Sequence, residues 1–321
     1  MNKEKGTDQF IEIAKASARI KNVLKPTPLY QSKSLSDEKT KVFYKMENLN
    51  PTGSFKIRGA ANKILSMSEE ERAKGVVTAS SGNHGLGFSY MCNHADCDGT
   101  VFVPTTVSEA KLQGIVAFGV EVIKTEGDPI NGEIASRKYA ADNGMAFVSP
   151  YNDRQIVGGQ GTIGFELFSK VSDLDAVFVG LGGGGLISGI AIALANLSPN
   201  TKIIACSATN SKVMQDSIPA GRVLDLPSEP TLSDGTAGGV EEGTITFDYC
   251  RDYVDEYIDV SESEIIEGVR VFIDDTNTIG EGAVGVAVAG YLRQKDKWVG
   301  NKVAIIACGG NILRSVLKDI L

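Results

Sequence analysis

The feature of this sequence that most limits its fold is a unit that occurs three times: a short apolar strand, a loop rich in glycine, and a helix. AVFVGL precedes GGGG and SGIAIALANL, GVVTAS precedes SGNHG and a helical stretch, and KVAIIA precedes CGGN and ILRSVLKDIL. Strands that alternate with helices predict parallel sheets with crossover helices. Most of these strands are uninterrupted apolar runs, as expected for strands buried on both faces.

Other segments predict four further strands and five further helices. The strands are expected at residues 42–47, 99–104, 120–127 and 202–207, and the helices follow Ser68, Ser108 and Ser261, begin at Asn131, and end before Lys295. Ser108 and Ser261 each precede a first turn that contains glutamate, which is typical of helix capping. A chain of 321 residues is long enough for about two domains. Because no flexible linker separates two halves, we expect one domain to be inserted into the other.

Charge and cysteine content exclude several classes of protein. A formal net charge of -8 gives no support to nucleic-acid binding, which needs a dense basic face. Residues 176–197 carry no charge, but glycine occupies six of these 22 positions, four of them consecutive, so we expect no membrane span there. The odd number of cysteines, five, and the polar segment MNKEKGTDQF at the N-terminus predict reduced thiols and a cytoplasmic protein.

The loop GLGGGGL predicts a site for a phosphate group. Its glycines fit the dinucleotide pattern G-x-G-x-x-G, but the next strand ends in IIACSAT and lacks the carboxylate that would bind a ribose. No Lys-Ser or Lys-Thr pair follows, which excludes a nucleoside-triphosphate loop. Consecutive glycine amides at the start of a helix bind one phosphate well. The alternative, a tight packing turn, needs only one or two glycines.

The loop SSGNHG, residues 80–85, is suited to a small carboxylate because it offers two hydroxyls, an amide, an imidazole and glycine backbone. The neighbouring run CNHADC raises the alternative of a metal site at Cys92, His94 and Cys97. A structural zinc site needs four ligands, and no other Cys or His cluster supplies the remainder. We therefore expect no metal and interpret CNHADC as a surface loop.

The segment NPTGSFKIRGA contains a candidate reactive lysine. Asn-Pro-Thr-Gly predicts a turn with Ser54 as the N-cap of a helix, which places Lys56 at the positive end of the helix dipole. An amine that loses its proton readily is what Schiff-base chemistry needs. A lysine of this kind, a phosphate site and a carboxylate loop on one fold predict pyridoxal phosphate acting on an amino acid.

In this order and spacing, SFKIRGA, SSGNHG, GGQGT, GLGGGGL and CGGN resemble the pyridoxal-phosphate serine/threonine dehydratase family, which has the tryptophan-synthase-β fold and includes serine racemase. The similarity runs from about Pro26 to the C-terminus. It implies an α/β fold with two open, twisted parallel-sheet domains (fold type II of pyridoxal-phosphate enzymes). Residues 1–64 and 150–321 would form the large cofactor-binding domain and residues 65–149 the small inserted one. The family also suggests a homodimer.

The resemblance further implies residue roles. Lys56 would hold the cofactor as a Schiff base and remove the α-proton of the substrate. The ring would contact Phe55, Asn83, Glu281 and Cys308, with Asn83 at the ring hydroxyl and Cys308 facing the pyridine nitrogen. The phosphate would be bound by the amides of Gly182, Gly183, Gly184, Gly185 and Leu186. The substrate carboxylate would be received by Ser80, Ser81, Gly82 and His84.

The expected activity is an ammonia-lyase that removes water from a β-hydroxy amino acid such as threonine or serine. An amino-acid racemase is the alternative, because Ser81 matches the second acid/base of racemases in the family. A noncatalytic protein with the same phosphate site is a more remote alternative, and it would not need Lys56. Metal-activated relatives carry two acidic residues where this chain has Ser207 and Val213, with Asp216 three residues further on, so we expect no activating cation.

Overall fold

The computed structural model describes residues 3–127 and 129–321. The helices in this part of the chain are α1 (Lys3–Ile20), α2 (Lys56–Ser66), α3 (Glu69–Ala73), α4 (Asn83–His94), α5 (Glu109–Val116), α6 (Pro129–Asp142), α7 (Arg154–Lys170), α8 (Gly185–Leu197), α9 (Val213–Ala220), α10 (Ile245–Tyr253), α11 (Glu262–Thr276), α12 (Gly282–Gln294) and α13 (Arg314–Ile320). The strands are β1 (Leu29–Gln31), β2 (Lys41–Met46), β3 (Val76–Ala79), β4 (Gly99–Pro104), β5 (Glu121–Thr125), β6 (Ala146–Phe147), β7 (Ala176–Gly180), β8 (Lys202–Ala208), β9 (Glu256–Val260) and β10 (Lys302–Ala307).

The larger sheet has six strands in the order β1-β2-β10-β7-β8-β9. The edge strand β1 is antiparallel to β2, and the other pairs are parallel. Every residue of β7 is buried, as is all of β10 after Lys302. The prediction that these strands are buried on both faces is therefore confirmed. Helix α12 packs on β7, β8, β9 and β10, and α8 packs on β7 and β8.

The smaller sheet has four parallel strands in the order β5-β4-β3-β6. Helices α4 and α6 pack against β3 and β4, because their crossover connections return the chain to the sheet. All four strands lie between residues 65 and 149, and the six strands of the larger sheet lie outside that range. The expected α/β fold with two parallel sheets is confirmed. The division into domains at residues 64/65 and 149/150 is retained as a proposal that this arrangement supports.

Helix α7 shows why the sequence analysis missed an element. Its sequence, RQIVGGQGTIGFELFSK, contains four glycines, which disfavour an isolated helix. A Cβ on Gly159 would lie 2.3 Å from the carbonyl oxygen of Arg58, and one on Gly164 would lie 2.6 Å from Ala193. The glycines let α7 approach α2 and α8 closely, so tertiary packing outweighs helix propensity here.

The structure confirms the predicted caps and corrects one interpretation. Ser108 accepts a hydrogen bond from the Lys111 amide, and Ser261 forms a capping box with Glu264.

The run CNHADC is not a surface loop: it contains the end of α4, and Cys92 and Cys97 are buried in the core beneath it. The apolar sides of α4 and β4 meet there, which the polar letters of the run did not indicate.

Two structural properties of residues 3–127 and 129–321 bear on the classes of protein considered above. No helix combines the length and the apolar character that crossing a membrane requires. No group of three or more His, Cys, Asp and Glu side chains in the described chain is placed to hold a metal ion.

Candidate active site

A cavity of about 660 Å³ lies where the loops after β3, β7 and β10 meet. Its size is in the usual range for a cofactor or small-ligand site. The structure brings every residue that the sequence analysis selected for cofactor or substrate to its wall: Phe55, Lys56, Ser80, Ser81, Gly82, Asn83, His84, Gly182, Gly183, Gly184, Gly185, Leu186, Glu281 and Cys308.

The reactive lysine is placed by two connections between α2 and the end of β10. Ser54 forms an isolated bridge with Gly309, and the Phe55 amide donates to the carbonyl of Cys308 at 2.9 Å. The expected N-cap was wrong: α2 is preceded by Phe55, no side chain caps it, and Ser54 is fully buried. Lys56 is nevertheless the first residue of the helix, as the sequence indicated.

Burial makes Lys56 a weak base for a lysine. Removal from water lowers the pKa of its amine to about 8, although the nearby Cys308 and Glu281 act in the opposite direction. The Nζ atom donates a hydrogen bond to the Pro150 carbonyl at 2.9 Å. The direction agrees with the expectation, but its main cause is burial and not the helix dipole on which the expectation was based. The amine can therefore exchange a proton near neutral pH.

The glycine loop is packed closely against its neighbours at the start of α8. Gly184 precedes the helix with φ of +85°, a conformation that glycine adopts without strain. A Cβ on Gly183 would lie 2.6 Å from the Tyr151 ring, and one on Gly182 would lie 2.8 Å from the Thr236 carbonyl oxygen. The first amides of α8 have no partner within the helix. These amides fit an anion, so the loop combines close packing with a place for a phosphate.

A second helix N-terminus faces the same cavity. Helix α4 begins at Asn83, with Gly82 as its N-cap and no capping side chain. Ser80 accepts a hydrogen bond from the Gly82 amide at 3.2 Å, and Ser81 lines the cavity beside it. The first amides of α4 therefore provide a second place for an anion, such as a carboxylate.

The His84 ring is buried and neutral. Burial, together with the charge of Lys56, lowers the pKa of His84 to about 3. Its Nε2 lies 3.1 Å from the Val148 carbonyl oxygen, which only accepts, so Nε2 carries the proton. The remaining ring nitrogen is an acceptor and cannot bind a carboxylate. Any such contribution of His84 must come from its backbone amide.

A buried carboxylate stands beside the cavity next to Asn83. Asn83 Nδ2 lies 2.9 and 3.0 Å from the two carboxylate oxygens of Glu281. Burial raises the pKa of Glu281 and the hydrogen bond from Asn83 opposes this shift. At the end of β10, burial raises the pKa of the Cys308 thiol well above its usual value. Cys308 is therefore a neutral thiol at physiological pH.

Several lining residues were missed by the sequence analysis. Tyr151, between β6 and α7, contacts the glycine loop, and its hydroxyl accepts a hydrogen bond from the Glu241 amide at 2.8 Å. Lys111 on α5 forms an ion pair of 3.0 Å with Asp234 at the cavity wall. Asn311 follows the glycines of CGGN. Of these, only Asn311 stood in a motif that could have indicated it.

Comparison with known proteins identifies the family. Residues 20–309 match the family model described as pyridoxal-phosphate dependent enzyme. The chain belongs to this family. The cofactor of this enzyme is therefore pyridoxal phosphate, and the buried lysine and the glycine amides at the start of α8 fit its aldehyde and its phosphate.

The similarity to known proteins extends over almost the whole chain. A protein of Thermotoga maritima named L-threonine ammonia-lyase is 38% identical over 317 residues, which are 97% of this chain and 77% of that protein. The structure of processed threonine deaminase isoform 2 from Solanum lycopersicum has a TM-score of 0.93 at 29% identity, covering 100% of this chain and 93% of the other. The structure of maize serine racemase has a TM-score of 0.90 at 29% identity, covering 97% and 95%.

Proposed function

We propose that this enzyme is an ammonia-lyase that converts a β-hydroxy amino acid such as L-threonine or L-serine to a 2-oxo acid and ammonia. The observation that carries the proposal is that Lys56, the glycine loop and the N-terminus of α4 face one cavity. A reactive amine, a phosphate site and a carboxylate site at these positions suit an amino acid attached to pyridoxal phosphate. The name of the Thermotoga maritima relative supports the same reaction.

The proposed cofactor site lies mainly between the start of α2 and the glycine loop before α8. Lys56 would bind the aldehyde carbon, and the amides of the glycine loop and of Leu186 would hold the phosphate. Phe55 would support the ring, and Asn83, which donates to the Glu281 carboxylate, would also donate to the ring hydroxyl. When bound, pyridoxal phosphate withdraws electrons from the α-carbon of an attached amino acid.

The substrate carboxylate is received at the start of α4. The amides of Gly82, Asn83 and His84 and the hydroxyls of Ser80 and Ser81 point to this assignment, because an anion is stabilised at a helix N-terminus. The neutral His84 ring carries no charge for the carboxylate and acts only through its packing and its hydrogen bond. Its bond to the Val148 carbonyl holds the first turn of α4 in place.

Once the amino group of the substrate has displaced Lys56 from the aldehyde carbon, the freed Lys56 amine would take the α-proton. Its amine, with a pKa of about 8, is available as a base near neutral pH. Departure of the β-hydroxyl with a proton completes the loss of water. Hydrolysis of the product then consumes one water and releases ammonia, so that the net products are one 2-oxo acid and one ammonia. The neutral Cys308 thiol cannot hold a proton on the pyridine nitrogen as a carboxylate does, which favours prompt loss of the hydroxyl.

Racemisation is a second candidate reaction because Ser81 lies in the cavity. The family resemblance implies that its hydroxyl would return a proton to the face of the α-carbon opposite Lys56. The similarity to the structure of maize serine racemase favours keeping this candidate. Elimination remains the main proposal, since the relative at 38% identity is named as an ammonia-lyase.

The test is an assay of the purified enzyme with a set of β-hydroxy amino acids. We expect release of 2-oxo acid from L-threonine or L-serine, and no more than a small fraction of turnovers to give the D-amino acid. Chiral chromatography of the remaining substrate measures the second outcome. Racemisation faster than 2-oxo acid release would contradict the main proposal and favour the second.

We also propose that the enzyme is a cytoplasmic homodimer. All five cysteines are unpaired and buried, which suits a reducing compartment. The dimer rests on the family resemblance. Sedimentation of the purified enzyme at twice the chain mass of 34.0 kDa is the expected result.

A further inference from the structure

Asn311, the last residue of the CGGN motif, lines the cavity and has no role in the function proposed above. Its side-chain Nδ2 donates to the Asn83 side-chain oxygen at 2.7 Å and to the Thr52 carbonyl at 2.8 Å. Its backbone amide donates to a Glu281 carboxylate oxygen at 3.1 Å. Asn311 thus joins the end of β10 to the first turn of α4.

These bonds determine which way two side-chain amides face. The Thr52 carbonyl can only accept, so the atom of Asn311 beside it must be the nitrogen. The second hydrogen of that nitrogen points at Asn83, so the atom of Asn83 that receives it must be the oxygen. The Asn83 nitrogen then faces Glu281 and the cavity, as the distances of 2.9 and 3.0 Å to the carboxylate show.

Glu281 and Asn311 bind opposite ends of the Asn83 side-chain amide. Glu281 accepts from the nitrogen, and Asn311 donates to the oxygen. Because the Asn311 donor is itself held by the backbone carbonyl of Thr52, it specifies which atom of Asn83 faces it.

The Asn311 side chain packs against the turn that precedes Lys56, where a glycine leaves space for it. Gly53 has φ of +70°, and a Cβ there would lie 2.5 Å from the Asn311 side-chain oxygen. The Gly310 amide donates to the Gly53 carbonyl at 2.9 Å. The NPTG turn and the CGGN motif therefore pack against each other at the side-chain amide of Asn311.

We propose that Asn311 is a positioning residue that holds the Asn83 amide with its N–H groups toward Glu281 and the cavity. One N–H of Asn83 is shared by the carboxylate oxygens, and the other is then available to the ring oxygen of pyridoxal phosphate. The inference rests on the proposed contact between Asn83 and the cofactor ring. Without Asn311, the Asn83 amide can turn and present its oxygen to the ring oxygen instead.

The experiment compares cofactor binding by apoenzyme variants. Asn311→Ala is expected to weaken pyridoxal phosphate binding five- to tenfold and to shift the pH midpoint of the near-visible absorbance band, because one hydrogen bond to the ring oxygen is lost. Asn48→Ala is the matched control. Asn48 also donates two hydrogen bonds, to Thr278 and Ile279, but does not line the cavity, so this variant should keep the wild-type affinity and band.

A double-mutant cycle tests whether Asn311 acts through Asn83. In the Asn83→Ala background, Asn311→Ala should change cofactor affinity by less than twofold. Asn311→Asp keeps the size of the side chain but removes the donor, and it should weaken binding at least as much as Asn311→Ala. Thermal unfolding of each apoprotein shows whether it is folded before binding is measured.

Two results would overturn the inference: wild-type cofactor affinity and absorbance in both Asn311 variants, or an equal effect of Asn311→Ala with and without Asn83. Failure of the proposed function is a separate outcome, in which the wild-type protein takes up no pyridoxal phosphate at Lys56. Borohydride reduction followed by peptide mass analysis detects that uptake independently of turnover.

Discussion

Ion pairs occur both behind the reactive lysine and at the mouth of the cavity, and the two groups differ in burial. Behind Lys56, Arg58 bonds Glu47 at 2.7 Å and Glu166 at 2.6 Å, and its side chain is 1% exposed. Near Tyr151, whose hydroxyl accepts from the Glu241 amide, Arg137 bonds Glu241 at 2.8 Å with 39% of its side chain exposed. At the mouth of the cavity, which both residues line, the Lys111–Asp234 pair is similarly open to solvent.

The difference in burial has electrostatic consequences. Although burial disfavours the charge of Glu47, Arg58 and Lys45 hold the pKa of this carboxyl at about 2. Removing one member of a buried pair leaves an uncompensated charge, whereas an exposed pair contributes little because water and salt screen it. The comparison indicates a rigid wall that carries Lys56 and a mouth whose contacts can be exchanged with water.

The largest expected effect is on the rigid wall. Lys56→Ala should lower turnover by several powers of ten, because it removes both the cofactor linkage and the base. Steady-state assays with saturating pyridoxal phosphate measure the change. Lys63→Ala, on the same helix but outside the cavity, should stay within about threefold of wild type. More than a tenth of wild-type turnover in Lys56→Ala would refute the assignment.

Two arginine variants test the comparison directly. Arg58→Ala should lower the free energy of unfolding by about 3–5 kcal/mol, because Glu47 and Glu166 lose their partner in the interior. Arg137→Ala should lower it by less than about 1 kcal/mol. Urea denaturation of the apoproteins provides both values. Equal losses of unfolding free energy in the two variants would show that the buried and exposed ion pairs do not differ in their contribution to stability.

Capture of the cofactor by the apoenzyme should depend on pH. Only the unprotonated amine of Lys56 adds to an aldehyde, and its pKa of about 8 lies below the usual value for lysine. The capture rate should therefore rise about tenfold from pH 7 to pH 9 and then level off. Stopped-flow absorbance records the rate. A rate that still rose steeply above pH 9.5 would indicate an exposed, unperturbed lysine.

A smaller effect is expected at the mouth. Asp234→Asn removes the ion pair with Lys111 and should raise KM for the amino acid by up to about fivefold, with cofactor affinity unchanged. High salt should reduce the difference from wild type, because it screens the exposed pair. Glu70→Gln, which breaks an exposed pair with Lys74 away from the cavity, is the control. A large loss of cofactor affinity in Asp234→Asn would show that this pair belongs with the rigid wall that carries Lys56 and not with the mouth.

The smallest expected effect is that of metal removal. Ser207 is buried at the end of β8, Val213 begins α9, and Asp216 is 4.0 Å from Lys212. Since a hard cation needs about six oxygen ligands, several of them anionic, EDTA should change neither turnover nor melting temperature. Restoration of lost activity or stability by added magnesium or calcium would reveal a cation site.

Sequence reasoning predicted most of the site because its residues lie in loops with a clear local pattern. Ser80 to His84 and the four consecutive glycines stand directly after apolar strands, and the carboxyl ends of parallel strands are where ligands bind. Ser54 was assigned wrongly because its pairing partner, Gly309, is 255 residues away in the chain. Tyr151 was missed since its contact with the glycine loop depends on how α7 packs, and no motif surrounds it.

The sequence by itself determined the kind of sheet, the glycine loop before α8, and the residue types available for a phosphate, an amine and a carboxylate. These properties are local: they follow from apolar runs, backbone freedom and helix starts. Only the tertiary structure decided that the pKa of Lys56 falls to about 8, that the His84 ring is an acceptor, and that Asn311 donates a hydrogen bond to Asn83. Burial and hydrogen-bond direction depend on groups that are distant in the chain, so no local pattern can specify them.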